Sequence, residues 1–497
     1  MPLRRRPDPP LSPAAALPMM SGSRQEEPLT ATTDRDLAFS SATELVAAYR
    51  RKSLSPVEVT RTLLARLDRL EPKLNAFVLV ARESALKEAQ AAEARWMKGA
   101  PMGRLDGVPV TIKDLFLTKG WPTLRGSTLI KRDQPWEEDA PPVARLREHG
   151  AVLLGKTTMP EFGWKALGDS PLTGITRNPW NLAHTPGGSS AGAAAALAAG
   201  IGPLALGTDG GGSIRIPCGF TGLVGLKPSF GRVPAYPPSV FGLVAHNGPM
   251  ARSVADLALL MNVIAGPDDR DVYGLPPDGR DYTQGIEDGV KGLRVAFSPA
   301  LGYGRVDPEI AAAVERAARR FAELGAAIET VDPGFADPAQ TWLTLWWAGA
   351  AKAMSVYSAE ERKRLDPGLE ESAQKGARLS ASDWLTADQA RAQLSLHMAT
   401  FHRRFDLLLT PSVAVPALKV GELVADPATQ KEWIDWSPFS YPFNLTRQPA
   451  ASVPCGLTKA GLPIGLHIVG AMHQDALVLR AARAYERSAP PPPCPLD

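Results

Sequence analysis

The spacing of apolar residues changes period along the chain, and each change marks an element. Near residue 41 the period is helical: Ser41 precedes Glu44 by three positions, so that a capping hydroxyl and a returning carboxylate can satisfy free N–H groups. Ser55, Pro56 and Glu58 repeat the device. Val59, Leu63, Leu67 and Leu70 then form one apolar stripe, which predicts a helix that stops before Pro72. From Val108 the pattern becomes short continuous runs, Val108 to Ile112 and Ala151 to Leu154, with a charged helical segment from Pro141 to Glu148 before the second. Further strands are expected at Leu293 to Phe297, Leu407 to Leu409 and Ile464 to Val469. A helix capped by Asp307 and Pro308 presents Ile310, Val314, Ala317, Phe321 and Leu324 on one face and ends at Gly325. Strands alternating with amphipathic helices read as α/β, and no linker-like stretch divides the chain after residue 40, so one domain is expected.

One region breaks this rhythm. Between Thr185 and Gly231 two Gly-Ser segments flank an alanine-rich helix: Pro-Gly-Gly-Ser-Ser-Ala-Gly at 186–192 and Gly-Thr-Asp-Gly-Gly-Gly-Ser-Ile-Arg at 207–215. Glycine is costly inside regular elements, so this density implies a backbone bent unusually or held very close to another segment or a ligand. Trp342, Trp346 and Trp347 cluster at helical spacing, and Trp433 and Trp436 follow. Such groups belong to a core more often than to a pocket wall, and both readings stay open.

Composition narrows the function classes. With 497 residues, 44% of them hydrophobic and 22% charged, the chain can bury a large core and still hold a deep pocket. A net charge of +3 from 55 basic and 52 acidic residues gives no field for nucleic acid or a membrane surface. Cys218, Cys455 and Cys494 are too few and too scattered for a disulfide framework or a zinc site, which fits a reducing compartment, the cytoplasm. No apolar run is long enough to span a bilayer. The basic, proline-rich stretch Met1 to Thr30 reads as a disordered leader, or as an extension upstream of a start at Met19 or Met20; its one apolar patch is broken by Pro18, which argues against a signal peptide.

Candidate chemistry centres on Ser213. The preceding Gly210, Gly211 and Gly212 can turn consecutive N–H groups toward one point, as in an oxyanion nest, and a serine next in line can attack the carbonyl so polarised. Serine needs a base. His184 and His246 are the nearest histidines, and neither lies in a comparable motif. Lys113, at the end of an apolar run, can serve if burial lowers its pKa toward roughly 7 to 8. The alternative is a surface lysine paired with Asp114.

The segments Gly-Val-Pro-Val-Thr-Ile-Lys-Asp at 107–114, 186–192 and 207–217 together resemble the amidase signature family in order and spacing. The likeness runs from about residue 40 to 488, through Gly225-Leu226-Lys227-Pro228, Tyr441-Pro442-Phe443-Asn444 and Gln448-Pro449-Ala450. It implies a mixed central sheet covered by helices on both faces, and a Ser-Ser-Lys triad without metal or other cofactor. In that triad Ser213 forms an acyl-enzyme, Ser189 relays the proton beside an unusual cis peptide bond to Ser190, and Lys113 accepts it. The N–H groups of Gly210, Gly211, Gly212 and Ser213 would bind the oxyanion, with Asp209 and Arg215 as scaffold. Gly210 stands where relatives often carry isoleucine or threonine, which suggests a more flexible loop. The implied organisation is a disordered leader or extended N-terminus at 1–39, an amidase domain at 40–488 and a proline-rich tail at 489–497.

Two other motifs are set aside on physical grounds. Gly150 to Thr157 matches a phosphate-loop pattern, but its middle residues are strand-like. Gly188 to Gly192 fits a nucleophile elbow around Ser190, with no convincing strand before it or histidine after it. The resemblance implies a small amide as substrate, with esters and carbamates as further family substrates, and an aromatic lining would favour an apolar or aryl one. Its specificity is expected from Leu115 to Ser127, Met159 to Leu172 and Trp342 to Trp347. The alternative is the amidase-like component of a tRNA-dependent amidotransferase; the basic leader, and His246-Asn247 before Gly248-Pro249 in place of Asp-Gln, favour a free-standing hydrolase, monomeric or homodimeric. Cys218 reads as a small buried residue.

Overall fold

The computed structural model describes residues 33–490 and 494–496. The first part of the expected leader, and residues 491–493 and 497 of the expected tail, lie outside the described residues. Among the described residues eleven strands form one sheet: β1 (Phe77–Val80), β2 (Pro109–Lys113), β3 (Val152–Thr157), β4 (Leu204–Asp209), β5 (Val224–Lys227), β6 (His246–Ala251), β7 (Arg294–Phe297), β8 (Ala327–Thr330), β9 (Leu407–Pro411), β10 (Ala450–Leu457) and β11 (Pro463–Gly470). Their spatial order is β1-β3-β2-β4-β6-β5-β10-β11-β9-β7-β8. The pairs β2–β3, β2–β4, β7–β9 and β7–β8 are parallel and the rest antiparallel, so the sheet is mixed.

Alternation along the strands explains why helices cover both faces. Leu204 and Leu206 of β4 join a core with the helices Val254–Ile264, Pro308–Glu323 and Asp475–Ser488, whereas Ala205 between them packs against Ala193, Ala194 and Leu197 on the opposite face. That opposite face carries the alanine-rich helix Ala191–Ala198, buried along its whole length, and the helix Arg215–Thr221. Small side chains let the first of these sit against the sheet. A second core gathers Trp342, Trp346, Trp433 and Trp436 around the helix Ala339–Met354.

Two helical boundaries differ from the sequence reading. The helix expected to end before Pro72 runs as Pro56–Leu74, because proline in the last turn forfeits only one internal bond. Asn75 then closes it at φ +51°, its N–H donating to Glu71 O. A helix also precedes Ser41: Thr33 and Asp36 form a capping box for the helix Asp34–Phe39. The Phe39 ring lies under the guanidinium groups of Arg35, Arg66 and Arg252. Among the described residues no helix is long and apolar enough to cross a membrane.

Candidate functional site

β2 ends at Lys113 between two parallel neighbours, with Lys113 opposite Thr157 of β3 and Ile112 opposite Leu206 of β4. A lysine in the middle of a sheet is removed from water, and Lys113 is fully buried. Its Nζ donates to three hydroxyls: Ser189 Oγ at 2.7 Å, Thr208 Oγ1 at 2.7 Å and Ser190 Oγ at 3.1 Å. Burial pushes its pKa down to about 7, against an opposing pull from the Asp209 charge. Asp114 is not its partner. That carboxylate pairs at 3.2 Å with Lys156, whose Nζ also donates to Thr123 Oγ1 and Phe116 O; the apparent phosphate-loop lysine is thus a buried structural cation.

The two Gly-Ser segments converge on this amine. The peptide between Gly188 and Ser189 is cis, one residue earlier than the bond to Ser190 expected from the sequence. Ser190 ties the segments together: its N–H donates to Ser213 O at 3.2 Å and its Oγ donates to Thr208 O at 3.3 Å. Ser189 and Ser213 open on the same cavity, of about 360 Å³, and among the described residues no hydrogen bond joins their hydroxyls. Catalytic hydrogen bonds often tighten only once substrate is bound.

Asp209 and Arg215 organise the loop between β4 and the helix Arg215–Thr221. Asp209 Oδ1 accepts from Gly212 N at 2.8 Å, Arg215 Nη2 at 2.8 Å and Asn444 Nδ2 at 2.9 Å; Oδ2 accepts from Ile214 N and Arg215 Nε. Burial alone would raise the Asp209 pKa, but the Arg215 charge and these bonds hold it well below the usual carboxylate range. Arg215 also donates to Ser440 O and Asn444 Oδ1. The Gly212 amide is therefore engaged by Asp209 rather than free to bind an oxyanion. Gly212 matters for shape: its φ is +124°, and a Cβ would lie 2.5 Å from Ser440 Oγ.

Gly210 has a different use from the flexibility expected. A Cβ there would lie 2.9 Å from Trp346 Cζ3, and the indole of Trp342 donates to Gly210 O at 2.9 Å. Trp346 is stacked between Trp342 and Phe241, with ring centroids 4.7 and 4.0 Å away, so the loop is packed by aromatic rings. The tryptophan cluster is thus both core and wall: Trp342 is buried, and Trp346 lines the cavity with Phe116, Phe162, Phe241 and Tyr357.

The Amidase family model matches residues 58–479, from the first long helix to the last. The chain belongs to the amidase signature family. This amidase-family chain is 38% identical over 465 residues to the acylamidase of Rhodococcus erythropolis, covering 92% of this chain and 97% of that one. It is also 38% identical over 477 residues to the A component of the glutamyl-tRNA(Gln) amidotransferase of Myxococcus xanthus, covering 89% and 96%. The solved structure of a bacterial aryl acylamidase of the amidase signature family matches with a TM-score of 0.85 at 34% identity, over 91% of this chain and 96% of that one.

All three segments expected to set specificity in this amidase-family member reach the cavity, through Leu115, Phe116 and Arg125, through Phe162 and Gly163, and through Trp346. The loop from Ala235 to Phe241 and the stretch from Lys352 to Tyr357 also line it and were missed. Neither carries a periodic or motif signal. Thr208 was missed too, because only the pairing of β4 with β2 brings it to Lys113. His246 lines the cavity, yet its Nδ1 faces the carbonyls of Val244 and Asp209 and burial lowers its pKa; His184 lies elsewhere, bridged to Lys419. Among the described residues no group of three or more His, Cys, Asp or Glu side chains is placed to hold a metal ion.

Proposed function

We propose that the protein hydrolyses carboxylic amides through an acyl-enzyme on Ser213. The observation that carries this reading is Lys113: a fully buried amine, spent on three hydroxyls and no carboxylate, with a pKa near 7. In its neutral form the amine has two N–H groups and a lone pair, so one hydroxyl must turn and donate to it. We assign that role to Ser189, which lines the cavity with Ser213. Ser213 Oγ attacks the substrate carbonyl while its proton passes to Ser189 and the Ser189 proton passes to Lys113. The amides of Gly210, Gly211 and Ser213 receive the oxyanion, Gly212 being engaged by Asp209. Collapse expels the amine, which takes the proton back from Lys113 through Ser189. Water then attacks the ester by the same relay and releases the acid.

Aromatic lining around Ser213 supports an apolar or aryl amide as the substrate. The same reading takes the protein as a cytoplasmic monomer or homodimer that works without metal or cofactor. A second reading, the amidase-like component of a tRNA-dependent amidotransferase, rests on the equal identity to that component from Myxococcus xanthus. A panel of p-nitroanilides and p-nitrophenyl esters and carbamates, run with Ser213→Ala and Lys113→Ala, tests the first reading. Both variants are expected to lose at least about a hundredfold in kcat/KM. Full activity in Ser213→Ala sinks it, and inert wild type that releases ammonia from glutamine only with partner proteins establishes the second.

A further inference from the structure

We infer that the substrate carries a carboxylate, or an equivalent planar anion, and that Arg125 is the residue that holds it. This rests on the hydrolase reading above and narrows its substrate to an amide whose apolar or aryl body carries an anionic group.

Arg125 stands on the wall of the cavity that contains Ser189 and Ser213. Its backbone N–H and C=O are used in the fold, bonded to Asp114 O and Phe162 N, but among the described residues its guanidinium makes no hydrogen bond and no ion pair. Its five N–H donors, on a half-buried side chain at the cavity wall, are thus left for a ligand. The neighbouring acids cannot use them. Asp114 is taken by Lys156 and the N–H of Leu124, and Glu161 by Ser127 Oγ and the N–H of Asp366. Burial lowers the pKa of Arg125, with Tyr357 and Asp114 only partly opposing it, as for a cation short of counter-charge.

The backbone adds a second observation. Arg125 has φ +55° and Phe162, joined to it by a 2.8 Å bond, has φ +51°; both are left-handed conformations that side chains with a Cβ rarely adopt. Both residues line the cavity, so the strain falls where a guanidinium and a phenyl ring are presented to a ligand. The rest of the lining fits an anion. Lys352 adds a second positive charge at the rim, and the one carboxylate among the described lining residues, Asp209, is spent on Arg215. A planar guanidinium with parallel donors matches a carboxylate in shape and charge.

The test uses two isosteric substrate pairs with full-length protein. On the acyl side, N-(4-nitrophenyl)succinamate is compared with N-(4-nitrophenyl)-4-oxopentanamide; on the amine side, N-butyryl-4-aminobenzoate is compared with N-butyryl-4-aminoacetophenone. Wild type is expected to favour the carboxylate member of at least one pair by about tenfold or more in kcat/KM, through KM, as suits a charge-assisted bond. Arg125→Gln should erase that preference, Arg125→Lys should keep part of it, and Arg125→Glu should reverse it. Equal rates within both pairs, or a carboxylate preference that survives Arg125→Gln, overturn the inference while leaving amide hydrolysis standing. No turnover of any of the four compounds, or turnover unchanged in Ser213→Ala, would instead remove the hydrolase reading on which it rests.

Discussion

At the scale of single residues, the proposed mechanism turns on the proton balance of Lys113. An ordinary lysine near pH 7 is charged and useless as a base; here burial brings the pKa down to about 7. A base acts only when deprotonated, so kcat/KM should climb as pH rises through about 7 and level off above it, measured on any anilide the protein cleaves. Thr208→Val takes away one acceptor of the charged amine, which favours the neutral form, so that limb should move to lower pH. Lys113→Arg should be inactive at every pH, since a guanidinium keeps its proton. The grouping of these residues was readable from the chain: the motif segments pointed to Lys113 and Ser189, which lie within hydrogen-bond distance, and to Ser213, which opens on the same cavity as Ser189. Thr208 and Arg125 were not readable as partners of anything, because their positions depend on strand order and on one left-handed turn.

At the scale of the element, the loop between β4 and the helix Arg215–Thr221 is held by one buried carboxylate. Asp209 takes three backbone N–H groups and a guanidinium, so Asp209→Asn would leave Arg215 poorly compensated in a dry interior. Breaking such a pair costs about 3–5 kcal/mol, and urea unfolding should show a loss of that order at neutral pH. The sign follows from its low pKa. Its contribution is complete above the ordinary carboxylate range and fades only as pH falls below about 4. Elements with strong periodicity, such as the helix Pro308–Glu323, were legible to within a residue, because amphipathic spacing and caps are local. The cavity loop from Ala235 to Phe241 was not, since nothing local distinguishes it from any other proline-rich connection.

At the scale of the whole molecule, the order of strands in the sheet was beyond the sequence reading, although its mixed character followed from the family resemblance. Pairing of β5 with β10 joins segments far apart in the chain, and no local pattern encodes that. The last helix closes the same core: Val478, Leu479 and Tyr485 are buried, and Asp475 accepts from Ser229 N at 2.7 Å and Ser229 Oγ at 2.6 Å. Removing residues 475–497 forfeits several kcal/mol of burial, comparable with a net stability of about 5–15 kcal/mol. The truncated chain should therefore fail to give soluble, active protein, which expression and circular dichroism will show. Long-range packing also ties position 210 to position 346. The space a side chain would fill at Gly210 is occupied by the Trp346 ring, pinned on either side by Trp342 and Phe241. The two sites share one volume, so their histories cannot be independent: a bulkier residue at 210 becomes admissible only after the indole at 346 has shrunk. An evolving lineage, or an engineer reshaping substrate scope, must take those two steps in that order.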